Sequence, residues 1–269
     1  MAYETITFEK DGPVGVLTLN SPKKLNAIND TMIGEVNAAL DVAESDDDVR
    51  VVLLTGAGRA FCVGYDISSM PEGDQDFGRL QKALVVDLDF IMRFWRFPKP
   101  TVAAVHGYAL AGGCELAVSC DITVADEKTF FGEPELRFGA GIVAMILPWL
   151  IGPKQAKELI LTGNDRITAQ RALDINLINQ VAPEGEYLKV AMELARGMAS
   201  IDPVPMRLQK MAINRAFEIM GLNEALTAAS ELDVLIEGIE TPDSKTFAEI
   251  ARNDGIKAAL KWRDSRFAS

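Results

Sequence analysis

The sequence predicts an α/β fold that continues into a helical C-terminal region. Two patterns carry this reading. Short β-branched or apolar runs alternate with helical patterns over the first half of the chain, and from residue 153 onward the pattern turns mostly helical. The length adds a third: 269 residues, 48% hydrophobic and 25% charged, can bury one main core. We therefore expect a core domain at residues 1–200 and a helical region at 201–269.

The elements follow in order. Residues 5–20 carry β-branched residues at alternate positions broken by Asp11-Gly12, the pattern of a hairpin. Next, Ile33, Val36, Leu40 and Ala43 fall on one helical face, with Asn29 or Asp30 available as N-cap. Residues 49–54 (VRVVLL) form a short apolar run that suits a buried strand. A helix is expected at 83–94, a strand at 101–105, a short helix at 111–119 and a strand at 122–125. Helices follow at 153–163, 168–178, 184–200, 203–216, 223–238 and 247–263. The loop at 71–76 reads as a mobile surface segment, and the acidic run 46–48 as a solvated helix end.

Composition removes several functions. Lys plus Arg is 27 against 39 for Asp plus Glu, a net charge of −12, which disfavours binding to nucleic acid. The longest apolar run, 139–152, is shorter than the ~20 residues of a membrane span, and the polar start MAYETITFEK is no secretory signal. A cytoplasmic, membrane-free chain is expected. Cys62, Cys114 and Cys120 form no C-x-x-C pair and read as small buried residues. With His106 as its one histidine, the chain offers no His-built zinc site, and we expect no metal and no separate cofactor.

Three connections carry chemical character. Residues 60–67 (AFCVGYDI) follow a strand and turn, at the sheet edge where α/β proteins present ligands. Gly56-x-Gly58 there lacks the third glycine and the immediate helix of a dinucleotide loop. Residues 100–117 run from a strand through glycines into a helix, whose free N–H groups can stabilise an oxyanion and whose first turn holds Glu115. Residues 131–136 (FGEPEL) place Glu133 and Glu135 around a proline. Glu135 follows Glu115 by enough chain for helix, strand and return, so the two carboxylates can meet at one mouth. A carboxylate pair in an apolar pocket pushes its two protonations apart, giving one base and one acid.

Four pieces, taken in order, resemble the enoyl-CoA hydratase/isomerase (crotonase) family: SPKKLNAI at 21–28, AFCVGYDISSM at 60–70, residues 98–136, and LTGNDRITAQRALDINLINQV at 161–181. The resemblance runs through essentially the whole chain. It implies a crotonase-like spiral of β-β-α units and a C-terminal region that builds a homotrimer, often paired into a hexamer. It implies an acyl-CoA thioester as substrate, with coenzyme A as part of the substrate. The backbone N–H groups of Tyr65 and Gly112 would form the oxyanion hole, Glu115 would activate a water, and Glu135 would supply the proton to C2. Lys24, Ala27, Asp66, Ile67 and Ser68 would bind the substrate. Retention of both acids favours hydration of a 2-enoyl-CoA over 3-enoyl/2-enoyl isomerisation, hydrolysis or lysis on the same fold.

The sequence also departs from the family pattern. The glycine-rich run after the second acid is replaced by RFGAGIVAMILPWLIG, which suggests a bulkier, more apolar acyl pocket lined by Met145, Ile146 and Trp149. Ser68 stands where the family often has a basic residue near the CoA phosphates, leaving Lys24, Lys261 or Arg263 to supply that charge. Asn176 replaces a glycine, a change a left-handed cap tolerates. His106, Tyr108, Met206, Met211 and Met220 read as structural or interface residues, and Glu133 as the rival of Glu135 for the acid role.

Overall fold

The structure, a computed structural model, describes residues 3–67 and 76–267. Residues 71–75 of the loop expected to be mobile lie outside this set. β1 (Ile6–Asp11) and β2 (Val14–Leu19) form the expected antiparallel hairpin, paired from Ile6↔Leu19 to Asp11↔Val14. α1 (Asp30–Ser45) is capped by Asn29, whose side chain accepts from the Met32 amide, and it buries the expected Ile33, Val36, Leu40 and Ala43. β3 (Val51–Gly56) starts later than the sequence suggests, because the Arg50 and Val51 amides are still turned toward the Pro13 carbonyl. α2 (Phe77–Arg96) is longer than expected, starting at an Asp76 cap that accepts from the Gly78 amide. β4 (Thr101–Val105), β6 (Ile122–Asp126) and β9 (Gln180–Ala182) complete a six-stranded sheet of order β1-β2-β3-β4-β6-β9, parallel from β2 onward.

A second sheet escapes periodicity altogether. It consists of β5 (Tyr108–Leu110), β7 (Phe130–Gly132) and β8 (Ile167–Thr168). Strands this short show no usable alternation; their pairing is decided by what the larger sheet places beside them. Each turn of the chain lays one strand in the large sheet and then a short segment in the small one.

The two faces of the large sheet bury different partners. Val51 and Leu53 point with Val102, Ala104 and Val124 toward α6 (Tyr187–Ala199), which meets them with Ala191, Ala195 and Ala199. That stripe at helical spacing lets the helix approach closely. Val52, Leu54, Ala103 and Val105 point the other way into the principal core with Phe61, Phe90, Phe94 and Phe131. A fully buried side chain of this size stabilises by about 1.5–3 kcal/mol, so alternation along four parallel strands fixes both layers.

The helices after the sheet differ from expectation at two places. α4 (Leu147–Thr162) begins before Pro153, with a kink at Gly152 (φ 75°) that lets Pro153 start its second segment. The tail expected as one helix is two, α9 (Pro242–Asp254) and α10 (Ile256–Ser265), broken at Gly255 (φ 85°). α5 (Ala169–Asp174) ends in a Schellman turn: Leu177 N–H donates to the Ala172 carbonyl, Asn176 N–H to Leu173, and Asn176 takes φ 63° as its residue type allows. α7 (Pro203–Ile219) and α8 (Leu222–Gly238) carry exposed apolar residues, including Met211 and, just past α7, Met220. Among the described residues, no helix is long and apolar enough to cross a membrane.

Candidate active site

The small sheet sets the level of the site. Cys62 bridges Ala109 and Ala109 pairs with Phe131, all in parallel. Tyr65, Gly112 and Pro134 therefore each stand three residues beyond a matched position, and the three connections singled out in the sequence emerge side by side.

Tyr65 sits in a bridge with Ile28. The Ile28 amide donates to the Gly64 carbonyl and the Asp66 amide to the Ile28 carbonyl, so the Tyr65 N–H points away from that partner. Gly112 opens α3 (Gly112–Ser119), where the first amides have no intrahelical acceptor. The two are neighbours: a Cβ on Gly64 (φ 90°) would lie 3.1 Å from the Gly112 nitrogen, and one on Gly112 would lie 2.7 Å from Tyr65 Cε2. Ala111 precedes the helix at φ 55°, a conformation that costs an L residue about 1–3 kcal/mol. Its amide donates to the Gly132 carbonyl at 2.8 Å, and its carbonyl accepts from Cys114 and Glu115, which hold the strained turn in place.

The acids converge. Glu115, one turn into α3, and Glu135, in a 3-10 turn after Pro134, are both buried, and so is Glu133. One carboxylate oxygen from each lies within 4.8 Å of the other two. A single water can hydrogen-bond two oxygens at that separation. Glu115 Oε2 accepts from the Ala144 amide at 3.0 Å, whereas Glu115 Oε1, Glu135 Oε2 and both oxygens of Glu133 have no hydrogen-bond partner among the described residues.

Burial pushes the Glu115 carboxyl up to about 8, against the opposing pull of the Ala144 amide. Burial and the neighbouring carboxylates hold Glu133 and Glu135 well above the usual range. Glu133 and Glu135 in this state hold protons, which opposes binding of a hard divalent cation by the same oxygens, and Glu115, nearer neutrality, is the acid of the three that most readily gives its proton up.

A pH dependence of stability follows. Each of these acids binds its proton more tightly folded than unfolded, so the stability it contributes is complete below the unfolded range near 4 and is lost as pH rises through the folded value. Glu35 and Asp46, held low, act only as pH falls toward the unfolded range. The melting temperature should therefore fall from about pH 5 to about pH 8, and Glu115→Gln should flatten that slope in thermal denaturation scans.

The remaining expected residues are placed as follows. Lys24 Nζ pairs with Asp66 at 2.7 Å, and Ala27 is buried beside the Ile28–Tyr65 bridge. Ile67 follows Asp66 on the same strip, while Ser68 lies outside the described residues. Arg263 is buried, pairs with Asp264 at 2.6 Å and lies over the Phe138 ring, whereas Lys261 is exposed. Ile146 belongs to the principal core and Trp149 packs against Phe217 of α7. His106 stacks on Tyr187 and hydrogen-bonds the Gly58 carbonyl through Nε2.

A sequence profile of enoyl-CoA hydratases/isomerases matches residues 9–251. The chain belongs to that family. Its α/β crotonase fold has the six-stranded and three-stranded sheets and the C-terminal helices described above. A crystal structure of an enoyl-CoA hydratase/isomerase from Xanthobacter autotrophicus Py2 is similar over 100% of both chains, with 47% identity and a TM-score of 0.96. The short-chain-enoyl-CoA hydratase of Clostridium acetobutylicum is 38% identical, covering 96% of this chain and 99% of the relative. The mitochondrial enoyl-CoA hydratase of Pongo abelii is 35% identical, covering 98% and 88%.

Several residues of the site were not singled out from sequence. Asn26 is fully buried at φ 57° and donates to the carbonyls of Ala57, Ala60 and Phe61 at 2.9, 2.9 and 3.1 Å, while accepting from the Ser21 amide. It ties the 21–28 piece to the start of the 60–67 piece. Glu133, which the sequence offers as the rival of Glu135, instead stands beside both expected acids. Asp87 and Asp233, each pushed up to about 7 mainly by burial, stand near Glu115 from α2 and α8.

Proposed function

We propose that the chain hydrates 2-enoyl-CoA thioesters to 3-hydroxyacyl-CoA, with Glu115 and Glu135 as the acid/base pair and the Tyr65 and Gly112 amides as the oxyanion hole. The observation that carries this is the convergence of the Glu115 and Glu135 carboxyls beside two neighbouring backbone amides. The thioester oxygen accepts from the two amides, and each donor is worth roughly 3 kcal/mol as negative charge develops there. Glu115 takes a proton from water as its oxygen adds to C3, the electrons of the double bond move to the thioester oxygen, and Glu135 delivers a proton to C2. Glu115 suits the base role because the Ala144 amide braces its ionised form, whereas burial and the neighbouring Glu115 charge push Glu135 well above the usual carboxylate range, toward its protonated form.

The names of the Clostridium and Pongo relatives support the same reading. Lys24, Ala27, Asp66, Ile67 and Ser68 bind the CoA portion in this reading. The core at 1–200 carries the chemistry, and region 201–269 carries association into a trimer or hexamer through the exposed apolar residues of α7 and α8.

Mixing the purified protein with crotonyl-CoA should bleach the absorbance of the conjugated thioester and yield a product heavier by one water. No bleaching with short or medium 2-enoyl thioesters would overturn the reading. Interconversion of 3-enoyl and 2-enoyl thioesters without addition of water would select the isomerase instead.

A further inference from the structure

α8 buries Leu222, Leu226 and Val234, but its second half also buries two polar side chains. Leu232, Leu235 and Ile236 are 62%, 48% and 41% exposed, while Ser230 and Asp233 are turned inward and buried. An amphipathic helix on a core ordinarily does the reverse. Asp233 is 2% exposed, and its Oδ1 has no hydrogen-bond partner among the described residues. A buried carboxyl oxygen without a donor costs stability, and an aliphatic side chain at this position would avoid that cost.

The surroundings of Asp233 tie it to the active site. Its carboxyl lies so close to Gly141 that any Cβ there would collide with it, and the Gly141 amide donates to Glu237 Oε1 at 3.2 Å. This loop is the one that braces Glu115 through the Ala144 amide and reaches the Glu135 carbonyl through the Ala140 amide at 3.1 Å. From α2, the Asp87 carboxyl acts on both Asp233 and Glu115, and its backbone carbonyl accepts from the Tyr65 hydroxyl at 3.0 Å. The loop that frames the Glu115 and Glu135 carboxyls is thus bordered by an acidic patch in which Asp233 Oδ1 has no donor among the described residues. A hydrocarbon tail laid on it would bury the acids further without supplying a donor.

We propose that Asp233, with Glu237 and Asp87 beside it, receives a hydrogen-bond-donating group, a hydroxyl or an amine, carried on the acyl chain beyond the reacting carbons. The proposal rests on the reading of the site as one for acyl-CoA thioesters and adds the class of acyl group it takes.

Calorimetric binding of saturated acyl-CoA thioesters tests it apart from turnover. Three probes of equal chain length end in a methyl, a hydroxyl or an amine. The hydroxyl or amine thioester should bind roughly tenfold or more tightly than the methyl one. The two polar arms tell a neutral donor from a cation. In Asp233→Leu that ratio should fall to about one or invert, and Glu237→Gln should lower it part of the way. Equal affinity for the three thioesters overturns the proposal, as does a preference that survives both substitutions. Preference without hydration of any 2-enoyl thioester would count against the hydratase reading alone. Hydration without preference would count against this proposal alone.

Discussion

Glu115→Gln and Glu135→Gln are each expected to lower kcat by about 10²–10⁴-fold on crotonyl-CoA, with little change in KM. Each substitution keeps the size of the side chain and removes its ability to take or give a proton. Because both acids act on one water, the double variant should lose far less than the product of the single losses. Glu133→Gln provides the contrast. In a site where Glu133 holds its proton throughout, glutamine replaces it nearly isosterically, and the loss should stay under about tenfold. Steady-state kinetics with all four variants reads this directly. Full activity in the double variant would remove both acids from the mechanism.

Gly112→Ala should cost about 10²–10³ in kcat through geometry alone. The new methyl would stand 2.7 Å from Tyr65 Cε2 and 2.9 Å from Cδ2, so either the ring or the start of α3 must shift. Both moves disturb the pair of amides that would hold the enolate oxygen. Binding of a saturated acyl-CoA should weaken much less than kcat falls, since the charge those amides stabilise develops only along the reaction. Thermal unfolding should report a loss of about 1–3 kcal/mol from the overpacked contact. A kcat within a few-fold of the parent would move the oxyanion hole elsewhere.

The legible parts of this protein are those that local physics decides. The hairpin at β1 and β2, the capped helix α1 and the buried strands β3, β4 and β6 follow from alternation, capping and β-branched runs. The three connections that meet at the site are marked by glycines and by acids in otherwise apolar stretches. β5, β7 and β8 were not legible, because two or three residues carry no period and their pairing is supplied by the larger sheet. Glu133 could not be ranked against Glu135, since which residue of a Glu-Pro-Glu turn points inward depends on how Pro134 (φ −84°, ψ 2°) turns the chain. Asp233 was hidden for a related reason. Its helix carries apolar residues on more than one side, and the packing buries Leu222, Leu226 and Val234 with Asp233 while leaving Leu232, Leu235 and Ile236 exposed. Likewise, no pattern in SPKKLNAI announces that the Asn26 amide will satisfy three carbonyls from another turn of the chain.

The lateral pairing of Cys62, Ala109 and Phe131 also governs where this chain tolerates insertions and deletions. Losing one residue between Cys62 and Tyr65, or between Ala109 and Gly112, would slide one amide along its own track by about 3.3 Å while its counterpart stayed behind. The connecting spacers are thus as constrained in length as the chemistry is in composition, whereas exposed turns such as Gly185 can lengthen without disturbing it.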